Sequence, residues 1–261
     1  MNKLDKLQQL NKLLLEDMPE YKDQAESFPK QTGAQFRLFR SLVNVRHPRA
    51  ISKQFIELQD SFLREDLAER GIVQLDDLSP IQDDIYIWQG DITRLGCEAI
   101  VNAANSGMTG CYQPCHACID NCIHTYAGVQ LRLDCAEIMK KQGYEEPTGQ
   151  AKITKAYNLP CDYVLHTVGP IIYDNVTEKH EELLASCYRS CLELAEKNGI
   201  DSIAFCCIST GVFRFPNQRA AEIAIDTVRR FKQETNSGMK VIFNVFKDVD
   251  YEIYRKLLTE N

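Results

Sequence analysis

The sequence predicts an α/β protein in which a sheet is covered by helices on both faces and preceded by a helical extension. Three observations carry this reading. From residue 81 onward, short β-rich runs alternate with helical patterns, the arrangement that builds a sheet between two helical layers. Residues 1–80 instead repeat apolar side chains at three- and four-residue spacing and contain only Gly33 and Gly71. All eleven cysteines lie between Cys97 and Cys207, so the chain changes character near residue 80. The expected organisation is a helical extension over 1–80 and an α/β domain over 81–261.

In the extension, Leu4, Leu7, Leu10 and Leu14 mark one face of a first helix. The pattern returns over 51–68, after the His47-Pro48-Arg49 break. No catalytic motif is present, so the segment reads as an appendage packed on the main body, with substrate recognition as the lesser alternative. In the main body, strands are expected at 85–88, 99–101, 163–166, 202–207 and 241–245. Helices are expected near 120–142, 178–198, 216–234 and 249–259. Pro216 suits a first helical turn, where a missing N–H costs nothing.

Composition narrows the function. With 261 residues, 44% hydrophobic and 26% charged, the chain is an ordinary globular protein with enough length for a large core. No apolar run approaches the ~18–20 residues of a membrane span. The start, MNKLDKLQQLNKLLLEDM, is an amphipathic helix without the apolar centre of a secretion signal, so a cytoplasmic protein is expected. A net charge of −7 disfavours nucleic acid as a partner, since that affinity comes from clustered Lys and Arg. A small anionic ligand stays possible, because backbone N–H groups bind phosphates without net positive charge.

Three segments fall at predicted strand ends, where α/β sheets bind ligands. Gln89-Gly90-Asp91-Ile92-Thr93 follows the first strand, and Val101-Asn102-Ala103-Ala104-Asn105-Ser106 continues the second. CISTGVFRFP (207–216) is a small-residue turn between a buried strand and a helix start, suited to cradling a diphosphate. Each alone has a plain structural explanation: a carboxylate after a strand is commonly a cap, and Ser-Thr-Gly is commonly only a turn. Between them, Cys111, Cys115, His116, Cys118 and Cys122 fall within twelve residues. An odd number of cysteines without a secretion signal argues against a disulfide framework, and metal binding is the first explanation of their density.

Taken together and in this order, the motifs resemble the macrodomain family, an ADP-ribose-binding α/β/α module. They are GDIT (90–93), AIVNAANS (99–106), Ile119-Asp120 with Ile123-His124, TGQAKITKAYNLP (148–160), YVLHTVGP (163–170) and SIAFCCISTGVFRFP (202–216). The resemblance covers about residues 80–261 and leaves out the extension. It implies a three-layer α/β/α fold with a mixed central sheet. It also implies that Asp91 accepts the adenine amino protons, with the Ile92 N–H at a ring nitrogen. Ser209, Thr210, Gly211, Val212 and Phe213 would hold the diphosphate, and Asn105 the distal ribose, beside Cys118, Ile119 and Asp120. Phe246, after the last strand, is a weaker candidate as a stacking face for adenine.

Where macrodomains carry a glycine run before a Val-Asp pair, this chain has MTGCYQPCHACIDNCIH (108–124). That insert is similar to the zinc-containing macrodomains, a microbial subclass that travels with sirtuin-type ADP-ribosyltransferases and removes ADP-ribose from protein. Residue chemistry agrees, because thiolates and neutral imidazole are preferred zinc ligands and a catalytic site uses three of them with one position open. Cys115 and His116 are adjacent, so their side chains diverge; Cys122 is expected to face the core from its helix. Cys111, His116 and Cys118 remain as ligands of one Zn²⁺ per chain, the alternative being a closed site that adds Cys115 or Cys122. Asp120, at the place of the Val-Asp carboxylate, would orient a water or a ribose hydroxyl in catalysis together with His116 and Cys118. Helix N-capping is its structural alternative. The expected activity is zinc-dependent removal of mono-ADP-ribose from an acidic side chain of a modified protein. The resemblance implies a sirtuin-type transferase as functional partner and a lipoyl-carrier protein as one substrate. The rivals are a non-catalytic ADP-ribose reader with a structural zinc and an O-acetyl-ADP-ribose deacetylase. Cys206, Cys207, Cys187, Cys191 and His166 are read as core or packing residues, and His124 as making a structural hydrogen bond.

Overall fold

The computed structural model describes residues 1–260. The extension is four helices: α1 (Lys3–Asp17), α2 (Lys22–Glu26), α3 (Thr32–Val45) and α4 (Lys53–Arg70). A capping box starts α1: the Asn2 side chain accepts the Asp5 N–H at 2.9 Å, and the Asp5 carboxylate accepts the Asn2 N–H at 3.3 Å. Leu7, Leu10 and Leu14 then fall on one face and pack with Leu38, Phe39, Phe55 and Phe62 in a core of the extension's own. Each such side chain contributes roughly 1.5–3 kcal/mol. The sequence reading did not anticipate α3. Its apolar stripe is interrupted by Gln35 and Asn44, both buried; Gln35 is satisfied there by Asn11, whose Nδ2 donates to its Oε1 at 3.0 Å.

The main sheet has six strands: β2 (Ile85–Gln89), β4 (Ala99–Ala104), β5 (Ala151–Lys155), β6 (Tyr163–Val168), β7 (Ser202–Phe205) and β8 (Lys240–Val245). Their order is β2-β8-β7-β4-β6-β5, and every neighbouring pair is parallel except β5 with β6. The expected mixed sheet is therefore present. A separate clip pairs β1 (Val73–Gln74) with β3 (Leu95–Gly96). The inner strands β4, β7 and β8 are nearly all buried, as parallel strands covered on two faces must be.

The remaining helices are α5 (Ile119–Ala127), α6 (Val129–Gln142), α7 (Glu178–Lys197), α8 (Asn217–Thr235) and α9 (Asp248–Thr259). Successive residues of β6 show how they divide. His166 meets Cys135 of α6, whereas the Cys187 thiol of α7 donates to the Val168 carbonyl and meets Thr167. Neighbouring strand residues face opposite ways, so α5 and α6 cover one face and α7 to α9 the other. No helix among the described residues is long and apolar enough to cross a membrane.

Three expectations need correction. The predicted helix over 120–142 is two helices, split at Gly128 (φ 100°), where a Cβ would stand 2.5 Å from the Gln59 side chain of α4. β5 was not expected; AKITK is a short edge strand with lysines at two of five positions, a composition that keeps edges from pairing further. Pro216 lies one residue before α8, and its carbonyl accepts the Ala220 N–H at 2.9 Å.

Candidate active site

A cavity of about 620 Å³ opens at the C-terminal ends of β2, β4, β7 and β8, within the range of small-molecule sites. Every residue that the sequence assigned to the site lines it: Asp91 and Ile92 after β2, and Asn105 after β4. Cys111, His116, Cys118, Ile119 and Asp120 form one wall, and Ser209 to Phe213 another. Phe246 stands at the rim, 77% exposed. Cys206 lies in the core and Cys207 packs against it, as expected, but β7 ends at Phe205, so the two follow the strand and also line the cavity.

At the β2 end, Asp91 caps a short 3₁₀ turn. Its Oδ1 accepts the Thr93 N–H at 3.0 Å and the Thr93 hydroxyl at 2.7 Å. Its Oδ2 accepts Arg70 Nη1 at 3.2 Å, and the Arg70 guanidinium lies 4.0 Å from the centre of the Tyr126 ring. Capping and cavity lining thus coexist in one carboxylate. Arg70 comes from the extension, and the sequence reading had no signal for it. Asn244 was also missed, although a lone Asn within the apolar run of β8 marked it. Its Nδ2 donates to the Trp88 and Gly90 carbonyls at 3.3 and 3.0 Å and joins β8 to the Asp91 loop.

The Ser209–Phe213 turn is closed by the Phe215 N–H on the Ser209 carbonyl at 3.0 Å and the Arg214 N–H on the Gly211 carbonyl at 3.1 Å. Ser209 adopts φ 65°, and its Oγ is buried with no hydrogen-bond partner among the described residues. Gly169, at the end of β6, is required by this packing, since a Cβ there would stand 2.0 Å from the Ser209 Oγ. The turn leads directly into α8, where backbone N–H groups favour an anion.

Asp120 is the second residue of α5, and its carboxylate is buried. It does not cap the helix: the Cys118 side chain does, its Sγ accepting the Asn121 N–H at 3.5 Å. Asp120 instead accepts Asn102 Nδ2 at 2.8 Å and Asn105 Nδ2 at 3.3 Å. Burial pushes its carboxyl up to about 6, against the hydrogen bond from Asn102 and the charge of Arg132. Asn105, expected at the distal ribose, also ties Asp120 to the Gly110 carbonyl, to which its Nδ2 donates at 3.1 Å. Sheet register extends the network: Asn102 pairs with His166 across β4 and β6. Asn102 Nδ2 approaches His166 Nδ1 at 3.1 Å, and Thr154 Oγ1 lies 2.9 Å from His166 Nε2. Burial holds His166 down at about 3 and His124 well below the usual imidazole value, so both are neutral at physiological pH. His166 is buried and packed as expected, whereas neither ring nitrogen of the buried His124 has a hydrogen-bond partner among the described residues, against the structural hydrogen bond expected of it.

Cys111, His116 and Cys118 present ligand atoms that all lie within 4.8 Å of one another. Cys111 Sγ and His116 Nδ1 are 3.6 Å apart. Tetrahedral zinc, with roughly 2.3 Å to sulfur and 2.0–2.1 Å to nitrogen, separates such a pair by about 3.5 Å. The donor set and its spacing fit a zinc ion. Cys115, at φ 53°, turns its Sγ to Ser41 Oγ at 3.3 Å and away from the trio. Cys122 is half-buried, with Arg40 Nη2 at 3.4 Å from its Sγ. It lines the cavity, where the sequence had expected it in the core.

Residues 101–224 match the Macro domain family. The chain is 58% identical over 250 residues to a protein-ADP-ribose hydrolase of Treponema medium, an alignment spanning 94% of this chain and 95% of that one. To the protein-ADP-ribose hydrolase of Staphylococcus aureus it is 53% identical over 223 residues, covering 85% and 84% of the two chains. The Trypanosoma brucei macrodomain in complex with ADP-ribose shares the fold at a TM-score of 0.65 and 32% identity, over 84% of this chain and 94% of that one. The cavity at the sheet ends, its residues and these likenesses agree, and the chain belongs to the macrodomain family, in its branch of protein-ADP-ribose hydrolases.

Proposed function

We propose that the chain removes mono-ADP-ribose from an acidic side chain of a modified protein, with zinc held by Cys111, His116 and Cys118. The observation that carries this reading is that the donor trio and the Asp120 carboxylate line the same wall of one cavity. Adenine would lie between Asp91 and Phe246, the diphosphate on the Ser209–Phe213 turn, and the distal ribose against Cys118 and Asp120. A zinc ion bound at the trio supplies Lewis-acid stabilisation to an oxygen that gains negative charge. Asp120 is mostly ionised at neutral pH yet near enough to its midpoint to take up a proton, which suits it to orient and deprotonate a water or a ribose hydroxyl. Asn102 and Asn105 hold the carboxylate for that role.

Three donors gathered without a fourth among the described residues favour an open coordination position, and with it hydrolysis over a purely binding role. The likeness of the 108–124 insert adds finer parts to the proposal. A sirtuin-type transferase would place the modification, a lipoyl-carrier protein is one candidate substrate, and the setting is cytoplasmic. The test follows release of ADP-ribose from a protein modified on acidic side chains, before and after chelation. Chelation should abolish release, added zinc should restore it, and affinity for free ADP-ribose should persist. Full turnover after chelation would return the chemistry to Asp120 alone, and binding without any release would favour the reader.

A further inference from the structure

The extension touches the metal-donor loop along one stripe of α3. Arg37, Arg40, Ser41 and Asn44 follow the i, i+3, i+4, i+7 spacing of a single helix face. The Arg37 carbonyl lies 3.5 Å from Cys115 Sγ, Ser41 Oγ contacts that same sulfur, and Asn44 Oδ1 accepts the Cys115 N–H at 2.9 Å. Arg40 reaches furthest: its Nη2 donates to the His116 carbonyl at 2.7 Å and to Asn121 Oδ1 at 2.9 Å, with its Nε on Asn121 Oδ1 at 3.2 Å.

Asn121 is fully buried and completes the arrangement. Its Nδ2 donates to the Gln113 carbonyl at 2.9 Å and the Cys111 carbonyl at 3.4 Å, while its backbone N–H points at Cys118 Sγ. Each residue of the trio is therefore tied to the Arg40–Asn121 pair: Cys111 through its carbonyl, His116 through its carbonyl, and Cys118 through its sulfur. Building on the zinc reading above, we propose that Arg40 is a positioning residue that holds the 111–118 loop in its ligand-presenting form. The extension is then part of the catalytic apparatus. Guanidinium suits the task because its planar fork serves several acceptors at fixed angles, and an ammonium group cannot hold the same set.

The test compares Arg40→Ala and Arg40→Lys with the wild-type full chain in three measurements: zinc affinity by chelator competition, amide hydrogen exchange, and ADP-ribose affinity by calorimetry. Loss of an outer support of metal ligands commonly weakens metal binding about 10- to 100-fold. Arg40→Ala should show a loss of that size, with loop amides from 111 to 118 exchanging at least about tenfold faster. ADP-ribose affinity should stay within about twofold, and Arg40→Lys, which preserves charge and bulk, should fall between. Exchange in α1 and α4 reports whether the variants keep their fold. Zinc affinity within twofold of wild type and unchanged loop exchange in both variants would overturn the proposal. Should the wild-type chain take up no zinc, the metal reading falls, while the exchange comparison still decides whether Arg40 holds the loop.

Discussion

Replacing Asp120 with Asn should separate stability from turnover. The carboxyl is buried and its pKa is raised from 3.8 to about 6. At roughly 1.4 kcal/mol per tenfold change in proton affinity, keeping the ionised form in the fold costs about 3 kcal/mol. The sign follows from linkage: the native state holds the proton more tightly than the unfolded chain, so this penalty is absent below about 4 and complete above about 6. An amide carries no such penalty, although it loses the charge-assisted hydrogen bond from Asn102 and sets an N–H against Asn105 Nδ2, at about 1–3 kcal/mol. The static balance is therefore close to even at neutral pH. The pH dependence is decisive: in chelator-treated protein, the stability of the variant relative to wild type should drop by roughly 2 kcal/mol between pH 7.5 and pH 4. Urea unfolding at the two pH values measures it, since all other groups cancel in the difference. Turnover at neutral pH should fall by about 10²- to 10⁴-fold, the usual worth of a general acid–base group. A stability gap that does not change with pH refutes the buried carboxylate as described, and turnover within tenfold of wild type removes Asp120 from the chemistry.

Other perturbations act on separate parts of the cavity. Cys118→Ala should lose most bound zinc and nearly all turnover while ADP-ribose affinity stays near normal, and Cys122→Ala should keep its zinc; elemental analysis of both variants decides the ligand set. Asp91→Ala should weaken ADP-ribose about 10- to 100-fold in calorimetry, as loss of a hydrogen bond to a charged group of about 1.5–3 kcal/mol implies, with zinc content unaltered. Gly128→Ala must place a Cβ 2.5 Å from the Gln59 side chain at a backbone angle that disfavours it. Thermal melting should fall by several degrees, and an unchanged midpoint would show that the α5–α6 break tolerates a side chain.

Much of the site was legible because its pieces are local. A strand end followed by Gly90-Asp91, a strand running into Asn102 and Asn105, and a small-residue turn before a helix each encode their place within a few residues. The donor trio spans only eight residues, so its convergence needs no long-range information. What escaped depends on contacts across the chain. Arg40 and Asn121 are 81 residues apart, and Arg70 and Asp91 meet only because α4 returns to the end of β2. No periodicity in residues 1–80 distinguishes these arginines from solvated ones. The break at Gly128 escaped for the same reason, since its cause is Gln59, from a helix some 70 residues earlier, whose Oε1 accepts the Val129 N–H at 3.0 Å. β5 was hidden by edge-strand chemistry, which favours lysine over the apolar alternation of a half-buried strand.

The extension can hold the loop only if α3 is itself fixed, and the main body fixes it. Arg132 of α6, buried to 5% exposure, donates Nη1 to the carbonyls of Val43, Asn44 and Arg46 at 2.9, 2.7 and 2.7 Å. These are the carbonyls that the end of α3 leaves without intrahelical partners, and a cation there also meets the favourable end of the helix dipole. The same guanidinium lies 4.5 Å from the Tyr112 ring, which belongs to the donor loop. Burial lowers the Arg132 pKa but leaves the group charged at any physiological pH. Tyr126 of α5 and Val129 of α6 meanwhile pack into the extension's own core, and α5, which carries Asp120, is bonded to the sheet through Asn102 and to α3 through Asn44, whose Nδ2 donates to Thr125 Oγ1 at 3.1 Å. Moving α3 would thus leave a buried Arg132 facing no acceptors, at a cost of several kcal/mol. That cost, more than any single contact to the loop, is what makes α3 a rigid support for the Cys111–Cys118 donors.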